Sequence, residues 1–358
     1  MKILINISVV SKNHRGMGAF TKDILMKLLV HNSIEFILVS CTDIDDDIKK
    51  IIDEKKLSFT QINSPLPLFE QFILPFLIKK HKPKSCWFPS NTFPIVKIKD
   101  VKYIATIHDI IYLSNDTIQK SIYQKIGKSY RKFTILKGIS NVDTITSVSS
   151  TALNEINTYF HFPKQVDNSF VLYNSINNTL DVDDSILKKY ELTSKKYIYT
   201  ISGEATHKNL KFLLDSFNIL QKEYKNYTLV VSGVSKNQQH LFLNENVILT
   251  EFISNEEKNS LIKNAEFFAF ASLKEGFGIP LIEAMSLNQN ILASDIPVFK
   301  EIGDKYVNYF DPTNKQFLVE YIQNKKPITN NLKDVNLYIK NKFSIDTTVQ
   351  KLQNILEA

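Results

Sequence analysis

Short apolar runs alternate with helix-like stretches along the chain, and this alternation constrains the fold more than any other feature. Runs that are apolar throughout suit strands buried on both faces of a parallel sheet. Helical spacing lies between them, as in residues 19–30 and 209–220, which gives the βαβα order typical of an α/β fold. The predicted strands lie within residues 3–10, 36–41, 103–107, 144–148, 171–173, 197–201, 228–231, 247–249, 267–270 and 291–293.

The series is interrupted at residues 172–184 (LYNSINNTLDVDD), a polar stretch with poor apolar periodicity, and resumes at Tyr197. The 358 residues also exceed the ~250–300 at which single cores stop growing. We therefore predict two facing, doubly wound Rossmann-like domains, residues 1–175 and 176–340. Their ligand sites would lie at the carboxyl ends of the strands and share a cleft. An amphipathic terminal helix within 341–358 is expected to pack back on the first domain.

Composition excludes several classes of protein. Two cysteines, Cys41 and Cys86, support neither a disulfide framework nor a four-thiolate zinc site. The start, MKILINISVV, lacks the features of a signal peptide, so we expect no export. The longest apolar stretch, residues 65–78, contains Glu70 and is shorter than the ~20 residues of a spanning helix. A net charge of +7 suits a polyphosphate ligand, an anionic membrane or nucleic acid, but no nucleic-acid module is present.

Glycine is scarce, with 9 in 358 residues against the usual ~7%. Gly276 and Gly278 lie in KEGFGIPLIEAMS (274–286), between an apolar strand and a helix. There they let the backbone approach a ligand, and the helix N-terminus offers N–H groups to a phosphate. Glu275 in the loop and Glu283 in the predicted first helical turn can both face that ligand. The alternative for Glu283 is that it caps its own helix.

Two polar residues follow other predicted strands. Lys208, in HKNL after Gly203, can place a point charge on a diphosphate beside a helix N-terminus; the alternative is a solvated lysine. His108 ends the strand at 101–107, where it can act as a general base or form a plain hydrogen bond. The alternative is that His108 is structural, with its ring hydrogen-bonded to the backbone. No second histidine at helical or strand spacing supports a metal there.

The first strand is followed by Gly16 and Gly18, which do not form the six-residue dinucleotide fingerprint. A close approach to a ligand and an ordinary strand–helix turn are both open, and Arg15 beside them is a lesser phosphate candidate.

Three charged clusters remain. The acidic groups Asp43/Asp45/Asp47 and Asp181/Asp183/Asp184 are interpreted as solvated charge runs, and we predict no metal site. Residues 117–137 contain six basic and no acidic residues, interleaved with apolar ones. This segment is either a helix on an anionic membrane or a core-facing helix with a solvated basic back, and we favour the membrane slightly.

In chain order, these segments resemble the retaining, nucleotide-sugar-dependent glycosyltransferases of the GT-B fold, glycosyltransferase family four, over nearly the whole chain. The segment EGFG-x-P-x-x-EAM at 275–285 resembles the family signature. The supporting stretches are RGMGAFTKDIL (15–25), LFEQFILP (68–75), FPSNTFP (88–94), TIHDI (106–110), SVSS (147–150), LYNSI (172–176) and GEATHKNL (203–210).

The resemblance implies an acceptor-binding first domain and a nucleotide-sugar-binding second domain. His108, Glu275 and Lys208 would form the catalytic set, with His108 beside the donor sugar. His207 stands where the family usually has arginine, which leaves its phosphate role open. The residues implied in donor binding are Gly16, Gly18, Gly203, His207, Lys208, Glu275, Gly276, Phe277, Gly278, Ile279 and Glu283. Acceptor-binding residues stay unassigned, and no metal or cofactor besides the donor is expected.

The predicted function is a retaining transfer of a hexose from a UDP- or GDP-sugar to a glycan hydroxyl. A lipid-linked acceptor in bacterial surface polysaccharide synthesis, O-antigen or capsule, is expected, with the enzyme cytoplasmic or peripheral on the inner membrane face. The alternatives are other GT-B chemistry, as in a sugar-nucleotide epimerase or a phosphorylase, and a noncatalytic nucleotide- or glycan-binding partner.

Overall fold

The computed structural model describes residues 1–12, 14, 16–30, 34–113, 122–161, 168–176, 180–194, 196–203, 205–235, 244–288, 290–324 and 331–358, with side chains from 125 onward in the segment that begins at 122. These residues form two compact units. Those from 1 to 175 and from 343 to 358 belong to the first unit, and those from 176 to 342 to the second. Arg15 and residues 117–121, both considered from the sequence, lie outside the described residues.

Each unit contains one wholly parallel sheet, as the buried apolar runs predict. The described strands are β1 (Lys2–Asn6), β2 (Glu35–Ser40), β3 (Ser58–Gln61), β4 (Ser85–Phe88), β5 (Lys102–Thr106), β6 (Thr144–Ser147), β7 (Ser169–Val171), β8 (Lys196–Ile201), β9 (Tyr227–Ser232), β10 (Val247–Glu251), β11 (Phe267–Phe270), β12 (Ile291–Ser294) and β13 (Asn308–Phe310). The strand order is β3-β2-β1-β4-β5-β6-β7 in the first unit and β10-β9-β8-β11-β12-β13 in the second.

Helices connect these strands. The described α-helices are α1 (Met17–Leu28), α2 (Asp46–Lys55), α3 (Leu66–Leu68), α4 (Leu74–His81), α5 (Ile122–Gly138), α6 (Ser150–Tyr159), α7 (Ser185–Lys189), α8 (Leu210–Glu223), α9 (Asn255–Asn264), α10 (Ile279–Leu287), α11 (Pro297–Gly303), α12 (Phe317–Gln323), α13 (Leu332–Lys342) and α14 (Ile345–Glu357). A π-helical turn, Phe69–Ile73, joins α3 to α4 in one continuous helical segment. Among the described helices, none is both long enough and apolar enough to cross a bilayer.

The central strands explain why the runs are apolar throughout. In the first sheet Leu4 of β1 pairs with Ile37 on one side and Cys86 on the other, and all three are buried. In the second sheet Ile198 of β8 lies between Leu229 and Phe267 in the same way. Because helices cover both faces, neither face of these strands needs polar residues. All ten runs identified in the sequence overlap a strand, although residues 171–173 share only Val171 with β7.

Three strands are absent from the predicted series. β3 (SFTQ) is a partly exposed edge strand, and β13 has three residues. β4 (SCWF) is central and fully buried, yet it begins with serine and directly follows Lys82, Pro83 and Lys84. Short length and polar neighbours hide such strands from a search for apolar runs.

The C-terminal helix α14 packs in the first unit against α1 and β4. Lys27 of α1 forms an ion pair with Asp346, with 2.8 Å between Nζ and Oδ1. Ser85 Oγ of β4 donates a hydrogen bond to the Leu356 carbonyl at 2.8 Å. The fold therefore returns the end of the chain to its first sheet.

Candidate active site

In the second sheet, the chain order reverses between the adjacent strands β8 and β11. Loops that leave adjacent strands at such a reversal diverge, and ligands bind in the crevice that this opens at the carboxyl ends. Gly203, His207 and Lys208 follow β8, while the EGFG segment follows β11. The strand order thus brings together two predicted donor segments that are distant in sequence.

A short ion pair joins the two segments. Lys208 Nζ lies 2.6 Å from Glu275 Oε1, and both side chains are largely shielded from solvent. The Leu273 N–H donates to the His207 carbonyl at 2.7 Å, which fixes the backbones side by side. Lys208 Nζ also lies 5.8 Å from the centroid of the Phe270 ring. The lysine and Glu275 are therefore held at one place at the end of β11.

Buried polar atoms without partners cluster around this pair. Among the described residues, His207 Nδ1, Asn209 Nδ2 and Ser272 Oγ have no hydrogen-bond partner. Burial lowers the pKa of His207, and the neighbouring Lys208 lowers it further. His207 is consequently neutral at physiological pH and adds a hydrogen-bonding nitrogen rather than a positive charge. Unpaired buried polar groups are costly, so this arrangement suits a polar ligand that would satisfy them.

The glycine loop ends at Gly278, the residue that precedes α10. Gly278 has a φ of 99°, and a Cβ there would lie 2.9 Å from Cε1 of Phe299. A side chain is therefore excluded both by the backbone conformation and by space. Pro280 occupies the first turn of α10, and Phe277 is buried beside the loop. Pro280 has no N–H and the Leu281 N–H donates to the Gly278 carbonyl at 2.8 Å, so Ile279 is the first-turn residue that offers an N–H to an anion.

Glu283 lies in a different place from the predicted first helical turn. Because α10 begins at Ile279, Glu283 is its fifth residue. Its Oε1 lies 2.7 Å from Nζ of Lys258 on α9, in a mostly buried ion pair. The alternative that Glu283 caps its own helix is therefore wrong, because its carboxylate is held by another helix.

Although glycine is scarce in this chain, Gly203 is not sterically required. A Cβ at Gly203 would meet nothing within 4 Å. In contrast, Gly233, which sequence analysis overlooked, has a φ of 87° and lies beside Ser202, where a Cβ would be 2.4 Å from the carbonyl oxygen. In the sequence, its position directly after an apolar run could have identified Gly233.

In the first unit the corresponding reversal lies between β1 and β4, and the GMG loop follows β1. Gly16 has a φ of 49°. A Cβ on Gly18 would lie 2.5 Å from the Val9 carbonyl oxygen and 2.4 Å from Cβ of His14. Gly18 is required by the close packing of α1 against the loop, so the strand–helix turn alone accounts for this glycine.

His108 lies just beyond β5 and is buried. Its Nε2 is 3.0 Å from the Pro89 carbonyl, its backbone N–H donates to Asn91 Oδ1 at 2.7 Å, and its ring meets Phe20 edge-on. Burial lowers its pKa to about 4, against the opposing effect of the Pro89 hydrogen bond. Since a carbonyl can only accept, Nε2 carries the proton and Nδ1 is the acceptor nitrogen. This geometry favours accepting a hydrogen bond over general-base catalysis, for which a pKa near neutral is better suited.

Known proteins match the chain in sequence and in fold. Residues 182–331 match the family model of the group 1 glycosyl transferases. The O-antigen chain mannosyltransferase RfbU of Salmonella typhimurium is 26% identical over 289 residues, 78% of this chain and 75% of that protein. The crystal structure of Anabaena Alr3699/HepE with UDP and glucose covers 100% of this chain and 99% of its own, at 15% identity and a TM-score of 0.70. The chain has the GT-B fold, and its second unit resembles the group 1 glycosyl transferases.

A second relative of similar coverage comes from Campylobacter jejuni. It is an N-acetylgalactosamine-N,N'-diacetylbacillosaminyl-diphospho-undecaprenol 4-alpha-N-acetylgalactosaminyltransferase, 26% identical over 267 residues, which are 70% of this chain and 71% of that protein.

Five of the six residues in the two acidic clusters are exposed, as solvated charge runs require, and the exception is Asp45, which is buried. Asp45 accepts the Asp47 N–H at the start of α2 and lies 2.9 Å from Nζ of Lys22. Asp184 Oδ1 accepts a hydrogen bond from Ser260 Oγ at 2.5 Å. Across the described ranges, no three His, Cys, Asp or Glu side chains are grouped as metal ligands.

A buried carboxyl group that was not among the predicted site residues lies in the π-helical turn. Glu70 is fully buried, and its oxygens accept hydrogen bonds from Thr92 Oγ1 at 2.8 Å and Tyr130 OH at 2.7 Å. The Asn6 amide lies 3.5 Å away. Glu70 therefore links the ends of β1 and β4 to α5. In the sequence, the presence of a glutamate inside an apolar stretch could have identified it.

Proposed function

We propose that the chain is a retaining glycosyltransferase that moves a hexose from a UDP- or GDP-sugar to a hydroxyl of a lipid-linked glycan. The second unit would bind the donor and the first the acceptor. The observation that carries this proposal is the Lys208–Glu275 pair beside the N-terminus of α10, inside the region that matches the group 1 glycosyl transferases.

The donor diphosphate needs positive charge and N–H donors. Lys208 supplies a positive charge, and α10 offers the Ile279 N–H at the positive end of its helix dipole. His207 Nδ1 and Asn209 Nδ2 are free for further hydrogen bonds within the described structure. Electrostatic stabilisation of the departing diphosphate by such preorganised groups is usually the largest contribution to rate. We propose that no divalent metal takes part in this stabilisation.

The two glutamates of the second unit do not resemble the carboxylate pair of retaining glycosidases. Each is held by its own lysine, Glu275 by Lys208 and Glu283 by Lys258. Double displacement needs one carboxylate as nucleophile and another as acid. We favour attack on the face from which the diphosphate departs. The acceptor oxygen forms the new bond to the sugar carbon, the bond to the phosphate oxygen breaks, and the acceptor proton passes to the diphosphate.

A role in surface polysaccharide synthesis, O-antigen or capsule, is supported by the relatives. RfbU is named as an O-antigen chain mannosyltransferase, and the Campylobacter relative is named for a diphospho-undecaprenol-linked acceptor. Work on a lipid-linked acceptor would place the enzyme at the inner face of the cytoplasmic membrane. The outward face of α5 bears Lys125, Lys132 and Lys137 in exposed positions, which suits that location.

A panel of UDP- and GDP-sugars, each incubated with diphospho-undecaprenol-linked glycans and with water alone, tests the proposal. We expect nucleoside diphosphate release with one donor, acceptor-dependent product, and NMR showing the donor's anomeric configuration in that product. A changed sugar on an intact nucleotide would indicate an epimerase, and phosphate-dependent cleavage a phosphorylase. Binding without turnover across the panel would indicate a noncatalytic partner.

A further inference from the structure

The helical segment formed by α3, the π-helical turn and α4 exposes a stripe of large apolar side chains. Leu68, Phe72 and Phe76 are spaced four residues apart, and Phe72 and Phe76 are 71% and 65% exposed. Residues at this spacing lie on one helix face. Phenylalanines this exposed on a helix of a soluble unit are unusual and indicate a surface that binds something apolar.

The opposite side of the same segment fixes this orientation. Phe69 and Glu70 are fully buried. Gln71 donates from Nε2 to the Phe93 carbonyl at 3.1 Å and accepts the Ile95 N–H at 2.9 Å. The segment is therefore anchored on both sides of Glu70 and cannot roll to bury Phe72. Its outward stripe is a property of the folded unit.

A neighbouring helix extends the exposed surface. Tyr130 of α5 accepts a hydrogen bond from Gln71 Nε2 at 2.8 Å, so α5 lies directly beside the π-helical turn. Ile126 and Phe133, one turn before and after Tyr130, are exposed, as is Leu136. Arg131 turns away, with its guanidinium carbon 5.6 Å from the centre of the Tyr112 ring. Apolar side chains of two adjacent helices thus share one surface.

The two-helix surface, formed by residues 66–82 and 122–138, carries only positive charges in exposed positions. Its exposed lysines are Lys79, Lys80, Lys82, Lys125, Lys132 and Lys137. Residues 66–82 and 122–138 contain one acid, Glu70, and it is buried. A symmetric dimer through this surface would set these lysines against themselves, which disfavours a second copy as the occupant. Lysines flanking exposed phenylalanines are complementary to acidic headgroups above acyl chains.

We propose that α3–α4 and α5 together form a docking surface for an anionic phospholipid bilayer, with Phe72 and Phe76 inserted at the headgroup–acyl boundary. The lysines contact the headgroups, and Leu68, Ile126 and Phe133 flank the inserted rings. The membrane contact is therefore a two-helix surface whose apolar part lies mainly on the segment before β4. It does not rest on the proposed reaction, because it is measured without donor or acceptor.

Flotation with phosphatidylglycerol/phosphatidylcholine vesicles and with phosphatidylcholine vesicles tests the surface. We expect wild type to partition onto the anionic vesicles, and a Phe72→Ala/Phe76→Ala variant to partition about tenfold less. Phe252→Ala is the matched control, since Phe252 is 59% exposed in the second unit; it should float as wild type does. Reversal by Lys79→Glu/Lys80→Glu should reduce partitioning on the order of thirtyfold, and Lys222→Glu/Lys225→Glu should not.

Insertion has its own readout. A Phe72→Trp variant should be quenched by brominated phospholipid, whereas the native Trp87, which is fully buried, should not be quenched in wild type. The substituted side chains are exposed, so circular dichroism and melting should match wild type. Equal flotation of the double-alanine variant and wild type would overturn the proposal. So would equal binding to neutral vesicles, or a change in sedimentation state without a change in flotation.

Discussion

Lys208 Nζ and Glu275 Oε1 lie 2.6 Å apart although 67 residues separate them in the chain. The parallel pairing of β8 with β11 places their loops side by side, so the contact follows from strand order. The Glu275 carboxylate balances the charge of the lysine in this pair. A diphosphate bound at α10 would compete with Glu275 for the same ammonium group. Donor binding would therefore release the Glu275 carboxylate from its ion pair.

Replacement of this lysine should impair donor use without unfolding the protein. A charge-assisted phosphate contact contributes roughly 1.5–3 kcal/mol, so Lys208→Ala should lower donor affinity or kcat/KM by about tenfold to a hundredfold. Lys211→Ala is the control, since Lys211 is exposed on the same α8. Donor titration and thermal melting on both variants decide the matter. Unchanged kinetics for Lys208→Ala would contradict the phosphate assignment.

Removal of divalent metal should leave transfer intact. In the proposed donor site, the lysine and the N-terminus of α10 would supply the positive charge that a metal otherwise provides. We expect initial rates in excess EDTA to match those in buffer containing Mg²⁺ or Mn²⁺. A rate that vanishes with EDTA and returns with added metal would show that the charge balance proposed for the donor site is incomplete.

Gly278 should tolerate no side chain. Gly278→Ala forces a left-handed residue to carry a Cβ 2.9 Å from the Phe299 ring, so we expect a loss of about 1–3 kcal/mol in the free energy of unfolding. Gly203→Ala is the matched control, because a Cβ there meets nothing within 4 Å. Chemical denaturation should separate the two variants. Equal stability would mean that the loop before α10 adapts freely.

The sequence was sufficient for the architecture where strands are long and apolar. It was insufficient for β4, although that strand is central in its sheet, because four residues starting with serine carry no clear period. It placed Lys208 and Glu275 in loops after strands but could not show that they meet, since this depends on which strands are neighbours. Local pattern predicts elements, whereas pairing across the sheet is a property of the whole unit.

The apolar stretch around Phe72 illustrates a second limit. An apolar stripe at helical spacing looks the same in sequence whether it faces the core or the solvent. Here Phe69 and Glu70 are buried while Phe72 and Phe76 are exposed, because the π-helical turn shifts the register of the inward face. The ion pair between Glu283 and Lys258 could not be predicted from the sequence either, because Lys258 lies in a helix that carries no recognisable motif.

Substitution of Glu283 and substitution of Glu275 should have different effects on donor use. We propose that Glu283, fixed by Lys258, binds the ribose hydroxyls of the donor, which would contact the enzyme in both ground and transition states. Glu283→Gln should therefore mainly raise the donor KM and weaken nucleoside diphosphate binding. Glu275→Gln frees Lys208 and should bind the nucleoside diphosphate no more weakly than wild type, yet lower kcat through lost sugar contacts.

Calorimetry with UDP and GDP and donor kinetics on both variants measure this difference. Lys258→Met serves as a further test, because it removes only the group that positions Glu283 and should mimic Glu283→Gln in part. The reverse pattern, with binding lost in Glu275→Gln and kept in Glu283→Gln, would show that the roles are exchanged.

Glu70 should make the stability of the first unit depend on pH. Burial raises its pKa from 4.5 to about 7, against the opposing hydrogen bonds from Tyr130 and Thr92. The folded state thus holds the proton more tightly than the unfolded state does. The stabilising contribution is complete below pH 4.5 and is lost as pH rises to 7, a change of about 3 kcal/mol.

Glu70→Gln cannot ionise, so the stability of wild type relative to this variant should fall between pH 4.5 and 7 and stay level above pH 8. Urea unfolding at several pH values measures the difference, and comparison with the variant cancels the contribution of the buried His108, which acts in the opposite direction as pH falls from 6.5 towards 4. Glu54→Gln, at an exposed glutamate of α2, is the control and should show no such trend. A pH-independent difference between wild type and Glu70→Gln would mean that the carboxylate stays ionised among its three donors.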